Sequence, residues 1–107
     1  MTDVRVVLVT APTGDPAAAL ARLLVDERLA ACVNLVPGVR SIYRWEGQVC
    51  DDREDLLVIK TASDRMEALV ARLREVHPYA VPEVLALAVD AGSTRYLEWV
   101  LAETRPG

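Results

Sequence analysis

ACVNLVPGVRSIYRWEG, residues Ala31–Gly47, decides how the rest of the chain is read. Between Val33 and Trp45 it carries four Val or Ile, one Tyr and one Trp, side chains that suit a pleated, half-buried surface. It is too long and too β-branched for a loop. Pro37-Gly38 interrupts it. Proline has no N–H to give a ladder, and glycine takes backbone angles that other residues refuse, so a bulge, bend or turn belongs there. Two arrangements satisfy these residues. One is a single long bent strand whose far half leaves its own domain to pair elsewhere. The other is two short strands joined by a Pro-Gly turn.

Upstream, Val4–Thr10 is an almost unbroken β-branched run, a strand buried on both faces. Asp15 is placed to cap the following helix, and Pro16 fits its first turn, where a missing N–H costs nothing. Ala17, Leu20, Ala21 and Leu24 fall on one helical face, and the helix is expected to end near Leu29. Downstream, Glu46-Gly47-Gln48 reads as a hairpin turn. Asp51–Asp55 reads as a solvated charged ribbon, and Leu56–Thr61 as a short strand with Leu57, Ile59 and Thr61 on one face and Leu56, Val58 and Lys60 on the other. Asp64 and Glu67 resemble a capping box opening a second helix with Met66, Leu69, Val70 and Leu73 inward. His77 precedes Pro78, which ends that helix. Glu83–Val89 is a last strand. Ser93 or Thr94 then caps a final helix with Tyr96, Leu97 and Val100 packed.

The order strand, helix, strand, strand, helix, strand is the ferredoxin-like βαββαβ arrangement, an α+β class, here with a terminal helix. Residues 1–107 read as one domain. The hydrophobic fraction is 52% with only 5% aromatic, so the core is aliphatic, and the surplus for so small a chain points to surface covered by other subunits. A net charge of −4 without a basic run argues against a nucleic-acid partner. Neither a signal peptide nor an apolar run of membrane-spanning length is visible, so a cytoplasmic protein without a membrane partner is expected. Cys32 and Cys50 form no CxxC pair; the first reads as a buried thiol and the second as an exposed one, a reduced pair being favoured over a disulfide between them in a cytosolic protein.

His77 is the sole histidine, either a metal ligand or a helix cap favoured by the helix dipole. Glu83, at a strand start, either reaches it or is simply exposed. Tyr43 and Trp45, two apart on a strand, point to one side and suit a pocket wall or a subunit contact. Lys60, the sole lysine, is a catalytic amine, a salt-bridge partner for Glu54 or Glu83, or a solvated strand end. Neither common nucleotide cradle is present. No catalytic residue is assigned, and a non-enzyme is expected.

The segments ACVNLVPGVRSIYRWEG, LLVIKT, HPYAVPEVLAL and YLEWV, in this order, resemble the CutA family of divalent-cation tolerance proteins, from about Val4 to Val100. The resemblance implies a homotrimer of PII-like shape in which the long strand pairs across subunits. It also implies tolerance of copper and other divalent metals, with copper binding in some members, and an inter-subunit pocket matching Tyr43, Trp45, Lys60, His77, Tyr79, Glu83 and Trp99. His77, Glu83 and Cys32, the last within the ACVN motif, are then the metal donors. Where some relatives carry a further Cys or His, this chain has Val9 and Val76. Two roles follow, binding of a divalent metal or small molecule between subunits, or PII-like signalling through protein partners.

Overall fold

The apolar run VRVVLVTA forms the strand on which the sheet is built, β1 (Val4–Ala11). The computed structural model describes residues 1–106. After β1 come α1 (Asp15–Asp26), β2 (Cys32–Trp45), β3 (Gln48–Ala62), α2 (Met66–Val76), β4 (Leu85–Ala88) and α3 (Thr94–Glu103). The sheet runs β2-β3-β1-β4 with every pairing antiparallel, the ferredoxin-like βαββαβ order expected, plus the terminal helix.

Alternation along the strands gives the sheet two unlike faces. Val7, Val9, Leu57 and Ile59 point to one side, where Leu20 and Leu24 of α1 and Leu69 and Leu73 of α2 close over them. Each fully buried aliphatic side chain there contributes about 1.5–3 kcal/mol. Val6, Leu8, Leu56 and Val58 point to the other side, with Leu85 and Leu87 beside them. Only α3 lies on that side, seating Val100 on Val4 and Ala31 at one end. The remainder is open apolar surface, and Leu85 and Leu87 are more than half exposed.

Of the two arrangements open for Ala31–Gly47, the structure has the long strand. β2 is continuous over 14 residues and pairs with the 15 residues of β3, forming a hairpin arm that stretches the molecule to 43 × 26 × 22 Å. The arm closes in a two-residue loop, Glu46 and Gly47, both at positive φ as a primed turn requires. The interruption at Pro37-Gly38 is a bulge. Val36 pairs with Leu56 and Val39 with Glu54, so two residues face Asp55 alone. Gly38 sits at φ 70°, and its amide donates to Asp55 Oδ1 at 3.1 Å. Asp55 Oδ2 accepts the Gly14 amide at 3.0 Å, tying the β1–α1 loop to the same point.

Several local expectations are corrected. Residues 51–55 belong to β3; Asp51, Asp52 and Arg53 are solvated as expected, but Glu54 and Asp55 are each only 6% exposed. Burial follows because the Gly14 amide and the Tyr79 hydroxyl bring hydrogen-bond donors to them from distant sequence. The first helix starts at Asp15, with Gly14 in the cap position, and stops at Asp26 because Arg28 turns left-handed (φ 59°). A 3₁₀ turn, Ser63–Arg65, replaces the capping box, and Asp64 instead takes a two-pronged bond from Arg105 at 2.7 and 2.8 Å. Along α3, Val100 is buried while Tyr96 stays exposed, and Ser93 makes no side-chain cap bond. Cys32 and Cys50 are both half-buried and free. Among the described residues, no helix is long and apolar enough to cross a membrane.

Asp55→Ala removes the acceptor of two amides, one in the β1–α1 loop and one at the β2 bulge. Hydrogen bonds to a charged group contribute about 1.5–3 kcal/mol, so urea unfolding at fixed protein concentration should show a loss of about 2–3 kcal/mol. A loss below about 0.5 kcal/mol would remove Asp55 from this role.

Candidate functional site

The hairpin arm curls toward the segment that follows α2, and a cavity of about 870 Å³ opens between them. That volume suits a small organic ligand. Its wall on the arm carries Tyr43, Trp45, Ser41 and Arg40; its other wall carries Tyr79 and Glu83; Glu54 and Thr10 lie at its base. The bulge is what aims the aromatic residues. Because of the extra residue, Tyr43 faces Cys50 and Trp45 faces Gln48, the even-numbered side of β3 that also holds Glu54. Leu56, Val58 and Lys60 continue along the same side, so the cavity lies at one end of the open apolar face.

Hydrogen bonds fix the walls. The Tyr79 hydroxyl donates to Glu54 Oε2 at 2.7 Å, and the Tyr43 hydroxyl donates to Asp52 Oδ2 at 2.5 Å. The carboxylate beside Tyr43 pushes its phenol up to about 12, and burial followed by the Glu54 bond raises that of Tyr79 further. Both phenols therefore stay neutral. Arg40, the one cation on the lining, is held by Asp51 through a two-pronged contact at 2.9 and 2.6 Å. Among the described residues, Glu46, Glu54 and Glu83 have no ion-pair partner. Burial, and then the charge of Glu54, raise the Glu83 carboxyl above the ordinary carboxylate value.

His77 is buried beneath this wall. Its Nδ1 accepts the Tyr79 amide at 3.0 Å, so Nε2 carries the proton and donates to the Thr10 carbonyl at 2.8 Å. The ring is the rivet between the start of the 78–83 segment and β1, and its one lone pair is in use. Glu83 lines the cavity and makes no bond to His77. Cys32 and Lys60 face each other across β2 and β3, six β3 residues from Glu54, a distance of about 20 Å at strand rise. Lys60 donates to Asn34 Oδ1 and pairs with neither Glu54 nor Glu83. Trp99 stacks near Tyr96 on α3, ring centroids 5.6 Å apart.

The structure thus gathers Tyr43, Trp45, Tyr79 and Glu83, and sets Lys60, Cys32 and Trp99 at the far end of the same face. Sequence reasoning missed Glu54 as a cavity residue. No three of the His, Cys, Asp and Glu side chains among the described residues form a group able to hold a metal ion. The donor set of one subunit does not fit a copper site, which asks for three or four convergent ligands.

A ferredoxin-like subunit with an open apolar sheet face and a cavity at its end defines a protein of PII-like architecture. One solved neighbour, titled "PII-like protein CutA from Nostoc sp. PCC 7120 in apo form", superposes with a TM-score of 0.89 at 39% identity, covering 96% of this chain and 99% of that one. The chain belongs to the CutA1 divalent ion tolerance family, whose model matches residues 5–103. It is 48% identical over 99 residues to the divalent-cation tolerance protein CutA of Thermus thermophilus, covering 92% of this chain and 96% of that protein. It is 49% identical to the chloroplastic protein CutA of Arabidopsis thaliana, covering 94% of this chain but 55% of the plant protein.

The carboxyl of Glu83 should titrate above the ordinary glutamate range in carbon-detected NMR. Glu54→Gln removes the like charge while leaving the burial, so the midpoint should fall part of the way back. A midpoint unchanged by Glu54→Gln would show that the two carboxylates do not sense each other.

Proposed function

We propose that this chain acts in divalent-cation tolerance as a homotrimer that binds a small ligand in clefts at the subunit seams, by binding rather than catalysis. The observation that carries the reading is the continuity of the cavity with the uncovered apolar face. A second copy seated on Val58, Leu85 and Leu87 would reach the rim of the cavity. The outer edge of β2 has no strand beside it among the described residues, and such an edge pairs readily with another chain. Lys60 and Trp99 would join a cleft only if they came from the neighbouring copy, which is where the resemblance to the family puts them. Their distance from the cavity within one chain is consistent with this. Free thiols at Cys32 and Cys50 suit a cytoplasmic location.

The family description favours a second reading, in which the cleft takes a divalent ion, copper among the choices, through Glu83 and donors of the neighbour. Titration of Cu²⁺ by calorimetry into wild type and His77→Ala separates the donors. Equal affinity is expected, because the ring has no free lone pair while its two bonds hold. Tighter binding by the wild type would return His77 to the ligand set.

Sedimentation equilibrium should give three times 11.7 kDa. Leu85→Asp costs the isolated fold little, since the side chain is already exposed, yet it should dissociate the assembly. A folded wild type at 11.7 kDa would overturn the proposal.

A further inference from the structure

The cavity also has a chemical sign. We propose that its ligand is a small organic ammonium ion, held over the rings of Tyr43, Trp45 and Tyr79 and countered by Glu54 and Glu83. This deepens the cleft reading above and rests on it. Three observations carry the inference. The lining combines three aromatic rings with three carboxylates, Glu46, Glu54 and Glu83, that have no cationic partner among the described residues. Its single guanidinium, Arg40, is already neutralised by Asp51. Even with Lys60 of a neighbouring copy added, the wall would stay net negative, so an anionic ligand is disfavoured.

The second observation is Glu54 itself. It is more than nine-tenths buried, and its one hydrogen bond comes from the neutral Tyr79 hydroxyl. A buried carboxylate with no compensating charge is attractive to a cation that enters dry. The third is the aromatic geometry. Tyr43 and Tyr79 direct their hydroxyl protons to Asp52 and Glu54, so neither hydroxyl is left to donate to a ligand, and the rings line the cavity beside the carboxylates. Aromatic faces attract ammonium groups, and more strongly once these are desolvated. A metal ion fits less well, since no three donors converge, whereas an ammonium ion needs only rings and a counter-charge.

The test uses the assembled full-length protein and a matched pair of probes. Choline and 3,3-dimethylbutan-1-ol share a shape and differ by the positive charge. Calorimetric titration should show choline binding at least about tenfold tighter than the alcohol, and Glu54→Gln with Glu83→Gln should abolish that preference. Equal or tighter binding of the alcohol would overturn the ammonium assignment and leave the cleft as a site for a neutral ligand. A preference that survives both Gln substitutions would overturn the role of the carboxylates. Binding of neither probe to a protein that still sediments as a trimer would overturn the ammonium assignment together with ligand binding, and leave the assembly standing.

Discussion

Asp55 accepts one amide with each oxygen, Gly14 at 3.0 Å and Gly38 at 3.1 Å, and so fixes the point at which β2 gains its extra residue. The position of that residue sets the side to which everything beyond it points. Side chains alternate with a period of two, so one inserted residue reverses the phase of the rest of the strand. Before the bulge, Val33 and Leu35 pair with Ile59 and Leu57 on the odd-numbered side of β3, which faces the helices. After it, Tyr43 and Trp45 pair with Cys50 and Gln48 and share a side with Glu54. In an unbroken ladder the aromatic pair would lie on the odd-numbered side of β3 and the cavity would have lost its wall. A single carboxylate therefore ties the β1–α1 loop to the bulge at the point where the phase of the arm is set.

The same sheet is finished on one side and unfinished on the other. Two helices saturate the face of Val7, Val9, Leu57 and Ile59, whereas α3 reaches only the Val4 end of the opposite face. β4 is four residues long and leaves Leu85 and Leu87 uncovered. Soluble chains rarely leave a contiguous apolar patch in water without a partner. The long arm adds an unpaired β2 edge to that patch. Trimer formation, as proposed, would answer both demands together, one through side-chain burial and the other through main-chain pairing.

Much of this architecture was legible before any coordinates, because it is encoded in local periodicity. The inward set Ala17, Leu20, Ala21 and Leu24 and the alternation of Leu57, Ile59 and Thr61 against Leu56, Val58 and Lys60 follow from helix and strand geometry alone. Pro78 ends α2 where a pre-proline residue must leave helical angles. The misreadings share one cause. Asp51–Asp55 has the composition of a solvated segment, and only contacts across 41 and 25 residues, from Gly14 and Tyr79, make Asp55 and Glu54 buried. Asp15 and Asp64 look like caps by type, but Gly14 takes one position and Arg105, 41 residues on, takes the carboxylate of the other. The site was visible through its aromatic residues and hidden in its acid, because an aromatic residue signals burial by type and a glutamate does not.

Hydrogen-bond satisfaction and charge compensation come apart in this cavity. No buried side-chain nitrogen or oxygen among the described residues lacks a hydrogen-bond partner, so by that measure the interior is complete. Yet the bond from Tyr79 gives Glu54 a proton donor without giving it a positive charge. Burial weakens the screening that water would supply, and the field of Glu54 reaches Glu83, whose carboxyl holds its proton to higher pH as a result of burial and of that neighbour. Replacing the acid with a neutral side chain of similar shape would relieve this repulsion at no loss of packing. A fold that holds Arg40, the one cation on the lining, with Asp51, and leaves the buried Glu54 uncompensated, keeps an electrostatic demand that no cation among the described residues meets. As proposed, a ligand or a neighbouring copy would meet it, and the aromatic walls favour a ligand that carries a positive charge.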